Sequence, residues 1–191
     1  GNTAVGYLSG LNNTTGVENT SMGSNARHSG TTGSHNTSIG AYASAYNPTG
    51  SYNTSMGKEA QKGDVFGGTT GHSNTSVGHQ ALKAVTTGYQ STNIGRGSLI
   101  SNTTGANNVG LGFEAGKSIT TGSNNTVIGS LNGTSTMADT VLLGAGTTER
   151  LKINSTGLYV NGSSTALGGG GGGPSNPTGL VSGRYYTGLY D

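Results

Sequence analysis

Residues 31–43 read Thr31-Thr32-Gly33-Ser34-His35-Asn36-Thr37-Ser38-Ile39-Gly40-Ala41-Tyr42-Ala43. Two motifs from this stretch return along most of the chain. One is Asn-Thr-x-φ-Gly, in which φ is apolar, and the other is usually Thr-Thr-Gly, whose glycine lies seven residues earlier. Self-similarity at a fixed period is the sequence signature of repeat architectures. The stretch therefore predicts a fold built from one small unit used many times.

The two motif glycines share one period. Successive Asn-Thr-x-φ-Gly glycines lie 17 residues apart, except for one step of 21 residues between Gly57 and Gly78. A degenerate ninth unit ends at Gly144. The φ-Gly series comprises Gly6, Gly23, Gly40, Gly57, Gly78, Gly95, Gly112 and Gly129, and the Thr-Thr-Gly series comprises Gly16, Gly33, Gly50, Gly71, Gly88, Gly105 and Gly122.

The local chemistry of the unit favours β-structure. Thr-Ser-φ is a short β-prone run that lies between glycines and Asn-rich turns. The chain has 38 glycines, and each glycine in a helix interior costs about 1 kcal/mol, so no helical pattern survives. We therefore predict an all-β chain of short strands and turns, in which each 17-residue unit bends at least once.

Composition excludes several classes of protein. Only 8% of residues are charged and the net charge is +2, which is too little for a charged disordered tail, while apolar residues are too scarce for a packed globular enzyme. There is no cysteine for a disulfide, a thiolate zinc site or a thiol nucleophile. The lysines and arginines are scattered singly, which argues against nucleic acid as a partner. No apolar run approaches the ~18 residues of a membrane span, which argues against membrane insertion.

The φ position is the predicted structural core. Burial of one φ side chain and one small residue per unit stabilises the fold by much less than the conformational entropy of ordering 17 residues costs. We therefore expect the φ residues to be buried against two further copies of the chain on a three-fold axis, where strand edges would also find partners. The predicted core residues are Val5, Met22, Ile39, Met56, Val77, Ile94, Leu111, Ile128 and Leu143.

A single-chain solenoid stays open as the alternative. A left-handed β-helix whose coil holds three hexapeptides would need an inward aliphatic residue every six positions. Six residues beyond each φ stand His28, Ala45, Lys62, Lys83, Ile100 and Lys117, which is not an apolar series. The sequence thus favours a repetitive homotrimeric β-helix or β-solenoid fibre built from 17-residue units.

The sequence pattern changes after the repeats. Residues 1–146 are the predicted repeat shaft, and residues 147–167 alternate polar and apolar side chains around Gly157, as a β-hairpin does. Residues 168–177 contain six glycines in a row and two prolines, which predicts a flexible hinge. Residues 178–191 are expected to begin a further C-terminal domain.

The repeats resemble those of a known family. Units such as Thr70–Leu82 and Thr121–Gly129 are similar to the shaft repeats of bacteriophage tail fibres, and Glu149–Asn154 with Gly157 resembles a strand that often follows such repeats. More distantly, φ-Gly-x-x-Ala resembles the head repeats of trimeric autotransporter adhesins, which usually have a shorter period. The resemblance covers roughly residues 1–160 and implies a homotrimeric fibre that presents a receptor-binding tip.

The resemblance also implies partners and a location. The expected function is that of a stiff spacer in host attachment, located in the virion tail, with other tail or fibre proteins and a host surface glycan or protein receptor as partners. The alternative is a bacterial cell-surface adhesin or a glycosylated extracellular filament. An ice-binding solenoid and a depolymerase tailspike are third.

The reactive side chains do not form a recurring catalytic pattern. Of the seven acidic residues, only Glu59 and Glu114 share a repeat position, and the four histidines fall at different phases. No Ser-His-Asp set is distinguishable among serines that the repeat itself imposes. We therefore predict no catalytic residue, no metal ligand and no cofactor site, and expect that the chain is not an enzyme.

Two further features remain open. The four-residue insertion lies within 58–68 and concentrates charge, and Asp64 and Phe66 in it are candidates for an exposed binding loop, since insertions in repeat proteins map to loops. The alternative is a tolerated surface bulge. Asn-x-Ser/Thr sequons at Asn19, Asn36, Asn53 and Asn74 are either glycosylation sites or by-products of the Asn-Thr-Ser run.

Overall fold

The computed structural model describes residues 1–64 and 69–161. In these residues the chain is all-β and forms a β-solenoid of about eight turns, as the repeat predicts. No helix that could cross a lipid bilayer occurs in this part of the chain. The strands are β1 (Thr3–Val5), β2 (Thr20–Met22), β3 (Thr37–Ile39), β4 (Thr54–Met56), β5 (Thr75–Val77), β6 (Thr92–Ile94), β7 (Val109–Leu111), β8 (Thr126–Ile128), β9 (Val141–Ala145), β10 (Thr148–Asn154) and β11 (Gly157–Val160).

The repeat unit is one turn of the solenoid. Strands β1 to β9 pair in parallel, each with the next along the chain, so that equivalent residues of successive units lie side by side. The four-residue insertion does not shift this register, because Met56 still pairs with Val77 across it. The degenerate ninth unit also keeps the register, since Ile128 pairs with Leu143.

The sheet ends in antiparallel strands. β10 pairs with β9, and β11 pairs with β10 from Leu151 opposite Val160 to Asn154 opposite Gly157. This is the stretch in which the alternation of side chains predicts a hairpin. The predicted hinge at 168–177, the predicted C-terminal domain at 178–191 and residues 162–167 lie outside the described residues.

The expectation that strand edges need other copies of the chain is wrong. In the sheet order β1 to β11, every strand between the two ends has both neighbours in the same chain. Hydrogen bonds between turns also continue outside the strands: Arg27 N donates to Ala43 O and Thr31 N to Pro48 O, each at 2.8 Å. One chain therefore satisfies much of its turn backbone by stacking on itself.

A ladder of asparagines, buried except for Asn2 at its start, connects the two repeat motifs. It comprises Asn2, Asn19, Asn36, Asn53, Asn74, Asn108 and Asn125, with Ser91 in the sixth turn. Asn74 is typical. Its backbone N donates to Asn53 Oδ1 at 3.0 Å, its own Oδ1 accepts from Ser91 N at 2.9 Å, and its Nδ2 donates to Gly88 O at 3.0 Å. The first residue of one motif thus binds the glycine carbonyl of the other.

The interior is narrow and partly polar. The middle residue of each strand from β2 to β8 faces inward, as do the small residue three positions after the motif glycine and the residue that follows it. In the first half of the solenoid these inward residues include Ser38, Ser44 and Gln61, whereas an apolar cluster fills the second half. The cluster comprises Leu82, Val85, Leu99, Ala115, Ile119, Val127, Leu131 and Leu142.

This interior explains how each turn closes within one chain, while burial of the φ residues between three copies stays a prediction. Ser and Asn side chains fill a narrow space and hydrogen-bond within it, so each turn needs few aliphatic residues. The solenoid also does not need an inward aliphatic residue at every sixth position. The positions six residues beyond φ lie outside the apolar cluster, and the lysines there are half-exposed.

The motif glycines stack as a column in which backbones lie very close. Gly78 has φ +132°, and a Cβ placed on it would lie 2.6 Å from the carbonyl oxygen of Gly95 in the next turn. Real Cβ atoms do not approach a backbone oxygen so closely, and this φ is one that residues with side chains rarely adopt. Both constraints require glycine.

We expect Asn74→Ala to destabilise the protein by about 1–3 kcal/mol for each buried group left unpaired, here Ser91 N and Gly88 O. Asn74→Ser should cost less, because Ser91 already accepts from Asn108 N at 3.2 Å in the same ladder. Thermal or urea unfolding followed by circular dichroism measures the difference. Asn132→Ala, at an exposed position, is the control. Equal stability of the alanine variants at 74 and 132 would contradict a structural role for the ladder.

Gly78→Ala should destabilise the solenoid more than Gly146→Ala. At Gly78 the strained backbone costs about 1–3 kcal/mol and overpacking against Gly95 adds about 1–3 kcal/mol. Gly146 has φ +63° and open space around a Cβ. Alanine there should cost only the strain of a left-handed backbone, about 1–2 kcal/mol. Denaturant midpoints of the two variants provide the test, and the reverse order would refute the close stacking of turns.

Candidate functional site

The predicted core residues lie on the outer face of the parallel sheet. Side chains alternate between the two faces of a strand, so the buried middle residue leaves the first and third residues pointing outward. Met22, Ile94 and Leu111 are 45%, 41% and 43% exposed. The nine predicted residues form what we call the apolar row: Val5, Met22, Ile39, Met56, Val77, Ile94, Leu111, Ile128 and Leu143. The row is not the interior of the chain, and its burial between copies stays a prediction.

A second row lies beside the apolar row on the same face. The first residue of each strand is threonine in most turns and valine in two, and these residues are half-buried or exposed. Successive strands lie about 4.8 Å apart, so the face is a regular array of hydroxyl, methyl and aliphatic groups without charge. Contiguous apolar surface of this kind marks interaction sites in soluble proteins.

Charged and aromatic side chains lie off this face, on the turns. The His35 ring stacks on Tyr52 with 4.9 Å between ring centroids, and His35 Nδ1 lies 3.0 Å from Glu18 Oε2. His72 stacks on Tyr89 in the same way at 5.1 Å. These pairs join successive turns and expose polar atoms to solvent.

Glu59 is the centre of the main charged cluster. Its Oε1 lies 3.1 Å from Lys62 Nζ, and its Oε2 lies 3.1 Å from Lys83 Nζ and accepts from Gln80 Nε2 at 2.8 Å. These contacts, the Gln80 hydrogen bond first, lower the pKa of Glu59 to about 2 although partial burial opposes the shift. Glu114, at the equivalent position, contacts only Lys117, at 2.6 Å.

The other sequence candidates are not brought together. Asp64 N lies 3.2 Å from Thr69 Oγ1, to which it donates, and Phe66 lies outside the described residues, so the binding-loop interpretation stays a prediction. Within residues 1–64 and 69–161, no group of three or more His, Asp or Glu side chains is placed to hold a metal ion.

The sequons at Asn19, Asn36, Asn53 and Asn74 belong to the interior ladder. All four side chains are buried, and each Nδ2 donates to a glycine carbonyl, at 2.9–3.0 Å. Glycosylation attaches the sugar to this nitrogen, which is buried at all four positions, so a sugar there would displace the surrounding turn. The by-product interpretation accounts for these four sequons.

A cleft that the sequence did not indicate lies between the last turn and the hairpin. It has a volume of about 560 Å³, with Leu131, Met137 and Leu142 among its apolar lining residues and Glu149 and Lys152 among its polar ones. Its residues come from the degenerate ninth unit and from the strand that follows it, where the periodic signal is weak or absent.

Acidification should cost the wild type more stability than Glu59→Gln. Because the folded pKa of Glu59 is about 2 and its ordinary value is 4.5, its contribution is fully present above pH 4.5 and is lost as the pH falls towards 2. We expect the two proteins to differ in Tm at pH 7 and to converge near pH 2. Glu114→Gln removes the same charge with one lysine contact and is the matched control. A Tm difference that is independent of pH would contradict this account.

Comparison of the chain with protein-family models, with curated proteins and with solved structures found no match.

Proposed function

We propose that this chain is a shaft segment of a homotrimeric fibre of the bacteriophage tail-fibre type, where it acts as a stiff spacer in host attachment. The observation that carries the proposal is the apolar row, a line of exposed aliphatic side chains that runs from turn to turn without a charge. Three copies that bring this row to a common axis would remove it from water.

The direction of the row supports a rotation axis parallel to the solenoid. Nine strands about 4.8 Å apart give a row about 38 Å long, with one apolar residue per turn. A row one residue wide is suited to meeting two others at an axis. An axis parallel to the solenoid points all copies the same way, as a shaft that carries a tip requires.

Stiffness follows from the turn-to-turn bonding. Each turn is joined to the next by strand pairing, by turn hydrogen bonds such as Ser29 N to Ala45 O at 2.8 Å, and by the asparagine ladder. Contacts of this kind act between nearest neighbours, so added turns lengthen the structure without changing its cross-section.

Two other functions would use the same face. A bacterial surface adhesin would trimerise through the same row, and we keep it as the alternative for the location. The regular threonine row is the observation that favours an ice-binding solenoid, which would keep this face free of other copies.

The mass of the chain in solution tests the proposal. Sedimentation equilibrium should give about three times 18.9 kDa. The double variant Ile94→Asp with Leu111→Asp should shift the mass towards one chain, because burying two carboxylates per copy at the axis is unfavourable.

Val17→Asp is the matched control, since Val17 is 50% exposed but lies off the apolar row. It should leave the mass unchanged, and circular dichroism should show all three proteins folded. A wild type that is monomeric at tens of micromolar would overturn the trimer. A monomer that also shows thermal hysteresis on freezing would establish the ice-binding alternative.

A further inference from the structure

An arginine without a counter-ion lies inside the solenoid. Arg27 is 2% exposed, and its Nη2 donates to Gly33 O at 2.5 Å. Its Nη1 has no partner among the described residues, and none of the ion pairs found there includes it. Burial lowers the pKa of Arg27 to about 10, so the guanidinium stays charged at neutral pH. An unpaired buried charge is costly.

The guanidinium lies where other turns have a different side chain. A Cβ on Gly30 would collide with Arg27 Nη1, and the equivalent positions in other turns hold Asn47, Val85 and Ile119, all buried. Glycine at position 30 thus makes room for the arginine head group. The guanidinium therefore occupies interior space that the absence of a side chain at Gly30 leaves open, and it does not reach the surface.

Two turns further on, the equivalent of this site is complete. Ser44 Oγ donates to Ser55 Oγ at 2.8 Å, and Ser55 Oγ donates to Gln61 Oε1 at 3.0 Å. In the first two turns the corresponding residues are Gly10, Ser21 and Arg27. Gly10 has no hydroxyl to offer, and arginine has no acceptor. Arg27 Nη1 is therefore a buried donor without an acceptor among the described residues, and Ser21 lines the same cavity as Arg27.

A small cavity lies where the missing side chain would be. It has a volume of about 30 Å³ and is lined by Ala4, Gly10, Asn13, Ser21 and Arg27, among others. A Cβ placed on Gly10 would lie 3.6 Å from Ala4 Cβ and 3.9 Å from Ser21 Oγ. The Asn13 amide donates through Nδ2 to Gly16 O at 2.9 Å, and its Oδ1 has no partner. Such a volume is large enough for one or two water-sized species.

We propose that a small monovalent anion, with chloride as the type, binds in this cavity and accepts hydrogen bonds from Arg27 Nη1 and Ser21 Oγ. The anion would supply the acceptor that Gln61 supplies two turns further on, and would neutralise the buried guanidinium. A neutral water could bridge these donors to Asn13 Oδ1 but would leave the charge uncompensated. The site is independent of the oligomeric state and of any role in attachment.

Anion-dependent stability provides the first test. At constant ionic strength, exchange of sodium gluconate for sodium chloride should raise the Tm of the wild type by about 3–6 °C once chloride is in tenfold excess over its Kd. Arg27→Met should lose this dependence. Arg96→Met, which removes an exposed arginine stacked on Phe113, is the matched control and should retain it.

Anomalous diffraction locates the ion without a variant. Wild-type crystals grown in sodium bromide should give an anomalous peak within hydrogen-bond distance of Arg27 Nη1. The proposal is supported if this peak is found and if chloride raises the Tm of both the wild type and the Arg96→Met variant. It is overturned if the cavity holds density with water contacts and no anomalous signal, or if chloride and gluconate give equal Tm values. The diffraction result decides if Arg27→Met fails to fold.

Discussion

The buried asparagine amide is the interaction on which the rest of the structure depends. Each ladder amide accepts from the backbone of the next turn, and all but Asn125 donate to the carbonyl of a glycine that closes a turn. The two repeat motifs keep one period because their members are bonded to each other. The same closeness of turns explains the glycine columns, since a side chain at Gly78 would occupy the place of the next turn's carbonyl.

The ladder also changes which residues count as a core. In most proteins the apolar member of Thr-Ser-φ would face inward, but here Ser38 and Ser55 are fully buried while Met56 is exposed. A narrow interior accepts the small serine side chain: Ser55 Oγ hydrogen-bonds with Ser44 Oγ and Gln61 Oε1, whereas Ser38 Oγ has no partner among the described residues. The aliphatic residue is then left for the outer face, where another copy can bury it.

Much of the fold was predictable from the sequence, and the limits have a physical cause. Unit length, strand positions such as Thr37–Ile39 and the absence of helix follow from the spacing of glycine and Asn-Thr. Which side chains of each strand point to the interior could not be predicted from the sequence. The choice depends on hydrogen bonds between residues 14 and 17 positions apart, which a hydrophobicity pattern does not reveal. The pairing of Glu59 with Lys83 and the isolation of Arg27 likewise arise only when turns stack.

The unbroken register across the insertion has a consequence for how such a protein changes over generations. A turn interacts with the turns directly before and after it, and β4 pairs with β5 in the usual register although four extra residues lie between these strands. Unequal recombination within the gene could therefore delete or duplicate a whole unit and still encode a closed stack. The length of the protein would then vary in steps of one unit. Residues that are particular to one turn, such as Arg27, whose guanidinium requires glycine at position 30, would restrict which units can replace each other.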